Sequence, residues 1–299
     1  MKKVLLLVNG TAGTGASKLN LYDILENLAV HDCMVTSFPI LPEKGLTAER
    51  LIEKYGADFD TIMCAGGDGT LSHTIRGIMN AGLRKPIAYL PCGSTNDYAR
   101  SLGISASVPE NCAAAAGNRT TAFDIGRFND SYFNYVAAFG AFTKVSYSTS
   151  QLAKNYLGYA AYILEGLLTL PENISSRCRM RISYDGGQEE GSYLYGAITN
   201  SISVGGMASP VSQRAKLNDG LFEVMLVSAP ENLGIVELGD IVTTLASGST
   251  DSPYIRVFQT GSLQIEAMNH VDWTLDGEYG GCPQTVKVEV CRRAVRMLV

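Results

Sequence analysis

Residues 64–77, CAGGDGTLSHTIRG, set three glycines around one aspartate between a short apolar run and a segment of helical periodicity. Glycines let a chain of phosphates lie against backbone N–H groups, and a carboxylate among them can hold a metal ion or its waters beside those phosphates. A structural turn needs one glycine rather than three, so Gly66, Gly67, Asp68, Gly69 and Thr70 are read as a nucleotide-phosphate loop. Two further polar loops stand in equivalent places. Asn9-Gly10-Thr11-Ala12-Gly13-Thr14-Gly15 follows the first apolar run, and strand, glycine loop and helix in succession aim N–H groups at phosphate. It spells neither GK[ST] nor GxGxxG, and a plain βα turn explains it equally well. Ser94-Thr95-Asn96-Asp97-Tyr98-Ala99-Arg100 follows the apolar run 87–90, and alone its polar residues could be a helix N-cap. Their coincidence is the argument: in an open α/β sheet, ligands gather outside the carboxyl ends of the strands.

Other acids lie farther along. Asp276-Gly277-Glu278 reads by itself as a hairpin turn carrying an exposed acid, and 216–221, Lys-Leu-Asn-Asp-Gly-Leu, as another hairpin, since Asp-Gly and Asn-Gly are strong turn signals. Asp124 stands at a strand end, where an aspartate is commonly a solvated or capping residue. Arg100 could face phosphate or close a helix C-terminus. His31, His73 and His270 fall in no motif, so histidine acid–base or zinc chemistry is not expected.

The elements that must position these residues follow from periodicity. Up to about residue 124, short apolar strands at 4–8, 61–65 and 87–90 alternate with helical segments, which argues for βα units and a largely parallel sheet. Leu21, Ile24, Leu25 and Leu28 repeat one buried helix face, as do Leu71, Ile75, Ile78 and Met79. Beyond Phe123 the texture becomes β-rich, with turn signals at 185–187, 218–220 and 276–277, which predicts an antiparallel second domain. Helices are expected over about 154–170 and 231–247. The domains predicted are 1–124 and 125–291, with a last strand, at 286–290 or 295–299, able to return to the first domain.

Composition narrows the function. With 46% apolar residues the 299-residue chain can bury a sizeable core, and 24 Lys+Arg against 29 Asp+Glu leave no polybasic footprint for nucleic acid. The seven cysteines form no CxxC pair and read as small buried hydrophobes in a reducing cytosol. The opening MKKVLLLV is too short in its apolar part for a signal peptide and reads as a strand. The longest apolar stretch, 156–170, is broken by Glu165, Gly158 and Gly166, so no membrane span is expected.

Taken together, GGDGT at 66–70, GSTNDYAR at 93–100, FDIGRFNDSYF at 123–133, KLNDGLF at 216–222 and DGEYGG at 276–281 resemble the diacylglycerol kinase catalytic-domain family, in its soluble bacterial lipid kinase branch. GGDG alone is shared with NAD kinases and 6-phosphofructokinases; the NDYAR block favours the lipid kinases. The resemblance covers nearly the whole chain. It implies an α/β plus β fold: an N-terminal α/β nucleotide domain like those of NAD kinase and phosphofructokinase, a C-terminal antiparallel β-sandwich, and a site in the cleft between them. It implies further that Asn9, Gly10, Thr11, Ala12 and Gly13, the segment Gly66, Gly67, Asp68, Gly69, Thr70, Leu71 and Ser72, and Ser94 with Asn96 contact ATP. Asp68 and Asp97 would organise catalytic Mg2+ through water, and Asp124 would belong to the active-site charge network. Glu278 resembles the general base, a role that suits a carboxylate taking the proton of a primary hydroxyl as it attacks the γ-phosphate. The loop at 216–221 matches one that binds a structural Mg2+, through the Asp219 carboxylate and the Lys216 and Leu221 carbonyls, a hard oxygen set.

Two departures stand out. The family opening NPxSGK is here NGTAGT, with Gly10 for proline and Thr14 for lysine, and the missing cation lowers the expected turnover unless Lys18 takes its place. The loop from Ser37 also lacks a threonine that relatives use near the nucleotide. The expected reaction is ATP-dependent phosphorylation of diacylglycerol, from the cytoplasm at the inner membrane face. A sphingoid base or another lipid alcohol is the neighbouring reading, NAD a more distant one, and a catalytically weakened nucleotide- or lipid-binding protein the rival from another class. For membrane contact there are two candidates, Tyr156, Tyr159, Tyr162 and Ile163 at helical spacing and Arg177, Arg179 and Arg181 alternating on a strand, each of which reads at least as well as a core stripe or a solvated face. The resemblance is compatible with a homodimer, though composition reveals no interface.

Overall fold

The computed structural model describes residues 1–10, 20–93, 96–140, 177–201, 216–229, 234–247 and 249–299. They form two compact units, Met1–Ile125 with Arg292–Val299, and Gly126–Cys291.

In the first unit, strands β1 (Lys2–Val8), β2 (Cys33–Pro39), β3 (Thr61–Gly66) and β4 (Ile87–Pro91) alternate with helices α1 (Leu21–Val30), α2 (Ala48–Tyr55) and α3 (Asp68–Asn80). Helices α4 (Asp97–Leu102) and α5 (Val108–Ala116) follow, then strand β5 (Thr120–Phe128). The sheet is parallel, in the order β2-β1-β3-β4, with the chain's last strand β15 (Thr285–Leu298) beside β4 at Met297 and Ile87. Helices on both faces explain why β1 and β3 read as continuous apolar runs: Val4 to Leu7 and all of β3 are buried. Asn20 caps α1 by accepting the Tyr22 N–H, and Ile24 and Leu28 are its buried face. Leu21, expected on that face, is exposed at the first turn. In α3, Leu71, Ile75 and Ile78 are buried as the spacing predicts.

The second unit is antiparallel. Its strands are β6 (Ser131–Phe133), β7 (Val136–Gly140), β8 (Cys178–Tyr184), β9 (Gly187–Thr199), β10 (Phe222–Ser228), β11 (Ile255–Thr260), β12 (Ser262–Ala267), β13 (Trp273–Leu275) and β14 (Glu278–Gly281). They run in the order β14-β13-β7-β9-β8-β12-β15, with β10 and β11 continuing from β9. The long β9 pairs β8 through its first half and both β7 and β10 through its second. Because strand side chains alternate, β7 sends Ala137 and Phe139 to one core and Val136 and Ala138 to another. The first core centres on Trp273, which packs edge-on against Phe128 and Phe139 at 5.0 and 4.9 Å. The second is covered by helix α6 (Ile235–Ala246) through Ile241 and Leu245.

The two candidate final strands are one strand, β15, which crosses from the second unit into the first. Arg293, near that crossing, has a left-handed backbone, φ 49°. The helix expected over 231–247 is α6; the one expected over 154–170 lies outside the described residues. Among the described residues no helix is long and apolar enough to cross a membrane.

Candidate active site

Strand β3 ends in Gly66, and only Gly67 separates it from α3, so the turn must be tight. A Cβ on Gly66 would come within 2.3 Å of Thr70 Oγ1, and one on Gly93 within 2.7 Å of the Gly67 Cα. Both lie below the closest approach of real side chains: at Gly66 the Thr70 side chain fills the space, and Gly93 meets Gly67 backbone to backbone only because it is glycine. Hydrogen bonds tie the strand ends together: Asn9 N–H to Ala65 O at 2.9 Å, Asn9 Nδ2 to Thr70 Oγ1 at 3.0 Å, and Cys92 N–H to Gly66 O at 2.7 Å. Asn9, the turn at Gly66–Thr70, and Gly93 with Asn96 are therefore joined at the carboxyl ends of β1, β3 and β4, the place where an open parallel sheet binds ligands.

Asp68 opens α3, half-buried, and its Oδ1 accepts the Tyr98 N–H at 3.2 Å, which draws the first turn of α4 to the glycine loop. Asn96 has a left-handed backbone, φ 51°, a conformation Asn tolerates better than most residues. Its side chain closes a ring on Gly93, accepting from that N–H and donating to that carbonyl, both at 2.9 Å. Asn96 and Thr70 thus act first as clamps of the loops. Leu71 and Ser72 are buried, and the Leu71 N–H donates to Gly67 O. Gly10 and Gly69 face open space: a Cβ there meets no atom within 4 Å among the described residues. Thr11, Ala12, Gly13, Thr14, Lys18 and Ser94 lie outside the described residues, and Asp97 is described only as the first residue of α4.

The cysteines beside these loops stay neutral. Burial pushes the Cys64 thiol up to about 12 and the Cys92 thiol up to about 11, so neither offers a thiolate nucleophile near pH 7. Asp124 is fully buried and accepts the Arg293 N–H at 2.6 Å, which pins β5 to the left-handed residue of β15.

In the second unit, Asp276 and Gly277 form the two-residue turn between β13 and β14. Their φ values, 52° and 85°, are both positive, as the right-handed twist of a tight hairpin requires. Asp276 is buried, which sequence reasoning missed. Its carboxylate accepts the N–H groups of Asn134, Tyr135 and Val136 at 2.8, 3.0 and 3.2 Å, and the Tyr135 hydroxyl donates to its carbonyl at 2.9 Å. Glu278 follows directly, paired with Leu275 and half-buried. The Asp-Gly dipeptide signalled the turn; nothing local signalled that its aspartate would be the anchor.

Around the 216–221 loop, Asp219 is exposed and accepts the Leu221 N–H at 3.1 Å; Lys216 is exposed as well. Among the described residues the donors offered to a metal ion here and at Asp68 are oxygens, the hard set that suits Mg2+. Glu223, also unforeseen, follows two residues later. It is buried, and burial raises its carboxyl to about 7 against the opposing pull of the Gln259 hydrogen bond at 3.0 Å. Of the strand arginines, Arg181 is ion-paired to Glu190 and Glu266 at 3.0 and 3.1 Å. The tyrosines at 156–162 lie outside the described residues.

Residues 3–128 match the diacylglycerol kinase catalytic domain, and residues 136–299 match the YegS C-terminal NAD kinase beta sandwich-like domain. The fold class is thus a kinase one, an α/β unit followed by a β-sandwich. A protein of Staphylococcus aureus named diacylglycerol kinase is 31% identical over 283 residues, covering 94% of this chain and 87% of its own length. One of Staphylococcus haemolyticus with the same name is 31% identical over 92% of this chain and 82% of its own. Among solved structures, a diacylglycerol kinase of Bacillus anthracis superposes with TM-score 0.73 at 22% identity, over 99% of this chain and 96% of that one. The chain belongs to the diacylglycerol kinase catalytic-domain family and is a diacylglycerol kinase-like lipid kinase.

Proposed function

We propose that this lipid kinase transfers the γ-phosphate of ATP to the free hydroxyl of diacylglycerol, giving phosphatidic acid and ADP. The observation that carries the reading is the joining of the Asn9, Gly66–Thr70 and Gly93–Asn96 loops at the ends of three parallel strands. Backbone N–H groups at such ends favour phosphate, and glycine lets it come close. In this scheme Asn9 to Gly13, Gly66 to Thr70, Ser94 and Asn96 form the ATP site. Glu278 takes the hydroxyl proton as the hydroxyl oxygen attacks phosphorus, and the bond from phosphorus to the β,γ-bridging oxygen breaks with departure of ADP. Asp68 and Asp97 would hold Mg2+ through water, which when bound neutralises phosphate charge; Asp219 with the Lys216 and Leu221 carbonyls would hold a second, structural ion. Diacylglycerol resides in a bilayer, so the protein acts peripherally, from the cytoplasmic side of the membrane, where ATP is available.

The names of the staphylococcal relatives support diacylglycerol over other alcohols. The test is transfer of labelled γ-phosphate from ATP in parallel reactions with diacylglycerol and sphingosine in mixed micelles and with NAD in solution. Labelled phosphatidic acid as the dominant product is expected. Label on sphingosine or NAD alone, or ATP binding with no transfer to any of the three, would overturn the assignment.

A further inference from the structure

We propose that His270, Asp272 and Cys282 form a binding site for a thiophilic divalent cation of the Zn2+ class. In the sequence these residues are split by ten positions, and His270 fell in no metal-binding motif. Hairpin β13–β14 closes the gap: Trp273 pairs with Gly281, so Asp272 and Cys282, their neighbours outside the hairpin, are held side by side. The imidazole Nε2 or Nδ1, a carboxylate oxygen and the thiol sulfur come within 4.8 Å of one another, the one such group of three among the described residues. His270 Nε2 is 2.9 Å from Asp272 Oδ1. The Tyr279 hydroxyl donates to Asp272 Oδ1 at 3.4 Å.

Zn2+ sits about 2.0–2.3 Å from N, O and S donors, which places tetrahedral ligands roughly 3.5 Å apart. The observed spread closes by side-chain rotation alone, because His270 and Cys282 are exposed. The backbone beneath is fixed, since Trp273 is fully buried against Phe128 and Phe139. A sulfur, an imidazole and a carboxylate suit Zn2+; the thiol excludes Mg2+ and Ca2+ as preferred occupants. On binding, Cys282 gives its proton to the solvent and coordinates as thiolate, and water completes the fourth position. The site lies at the open end of the hairpin whose turn precedes Glu278, yet the proposal stands independently of the role of that residue.

The full chain would be titrated with Zn2+ against a chromophoric chelator in excess Mg2+, and with Co2+ as a spectroscopic substitute. One equivalent of Zn2+ is expected, with affinity lowered in Cys282→Ser and in His270→Ala by more than the roughly 10- to 100-fold that an outer-shell change costs. Cys291→Ser should bind as the wild type does. Co2+ should give a thiolate charge-transfer band that Cys282→Ser abolishes. All three substitutions are expected to leave the thermal melt of the metal-free protein unchanged, which separates lost binding from lost folding. Binding that survives both Cys282→Ser and His270→Ala, or absence of stoichiometric binding and of the charge-transfer band, would overturn the proposal.

Discussion

Gly66, Gly67, Gly69 and Gly93 look interchangeable in sequence, but they do different work. Gly66 and Gly93 are small because protein fills the space a side chain would need; Gly69, in the first turn of α3, meets no atom within 4 Å among the described residues. The distinction separates folding from ligand binding. Gly69→Ala removes a glycine from a helix and should leave stability unchanged or raise it by up to ~1 kcal/mol, while the added methyl raises the KM for ATP several-fold. A thermal melt and an ATP titration of the rate check both halves, and an unchanged KM would mean that phosphate does not lie there. The tight turn between β3 and α3 was legible because only glycine fits where Thr70 fills the space beside Gly66. The clamping by Asn9 was not, since a hydrogen bond across 61 residues leaves no trace in local spacing.

The β13–β14 hairpin shows how an element can be half visible. Asp-Gly announced a two-residue turn, and the turn is there, with both residues at positive φ. What no local pattern announced is that the Asp276 carboxylate serves three N–H groups of residues 134–136, 140 or more positions earlier in the chain. Asp276→Ala strands those donors. Because each buried polar group left unsatisfied costs about 1–3 kcal/mol, the substitution should destabilise the protein by at least ~2 kcal/mol. Denaturant unfolding measures it; a loss below ~1 kcal/mol would show that the carboxylate is dispensable to the hairpin. The same turn sets the backbone on which Glu278 stands, so the anchor and the proposed base belong to one element. Helix α3 was the more readable case, because its apolar positions at 71, 75 and 78 repeat on one face and are all buried.

Across the whole molecule, the change from alternating βα units to turn-punctuated strands was visible in texture, and the chain folds as a parallel unit followed by an antiparallel one. The final strand could not be resolved by pattern alone: two apolar stretches flank Cys291-Arg292-Arg293, and only long-range pairing makes them a single strand with a left-handed residue in it. Asp124 is explained at this scale too, as the buried acceptor of the Arg293 N–H where the chain comes back into the first unit. Lipid selectivity was not legible, since an apolar surface for acyl chains has no spacing code, and the tyrosine stripe weighed for membrane contact lies outside the described residues. In the proposed reaction the glycine loops hold the phosphate and Glu278 removes the substrate proton. The decisive measurement is the rate of γ-phosphate transfer to diacylglycerol in Glu278→Gln, with ATP affinity and thermal stability measured alongside. A kcat lowered by about 10²- to 10⁴-fold, with ATP affinity and melting temperature as in the wild type, is expected; transfer at the wild-type rate would remove Glu278 as the base.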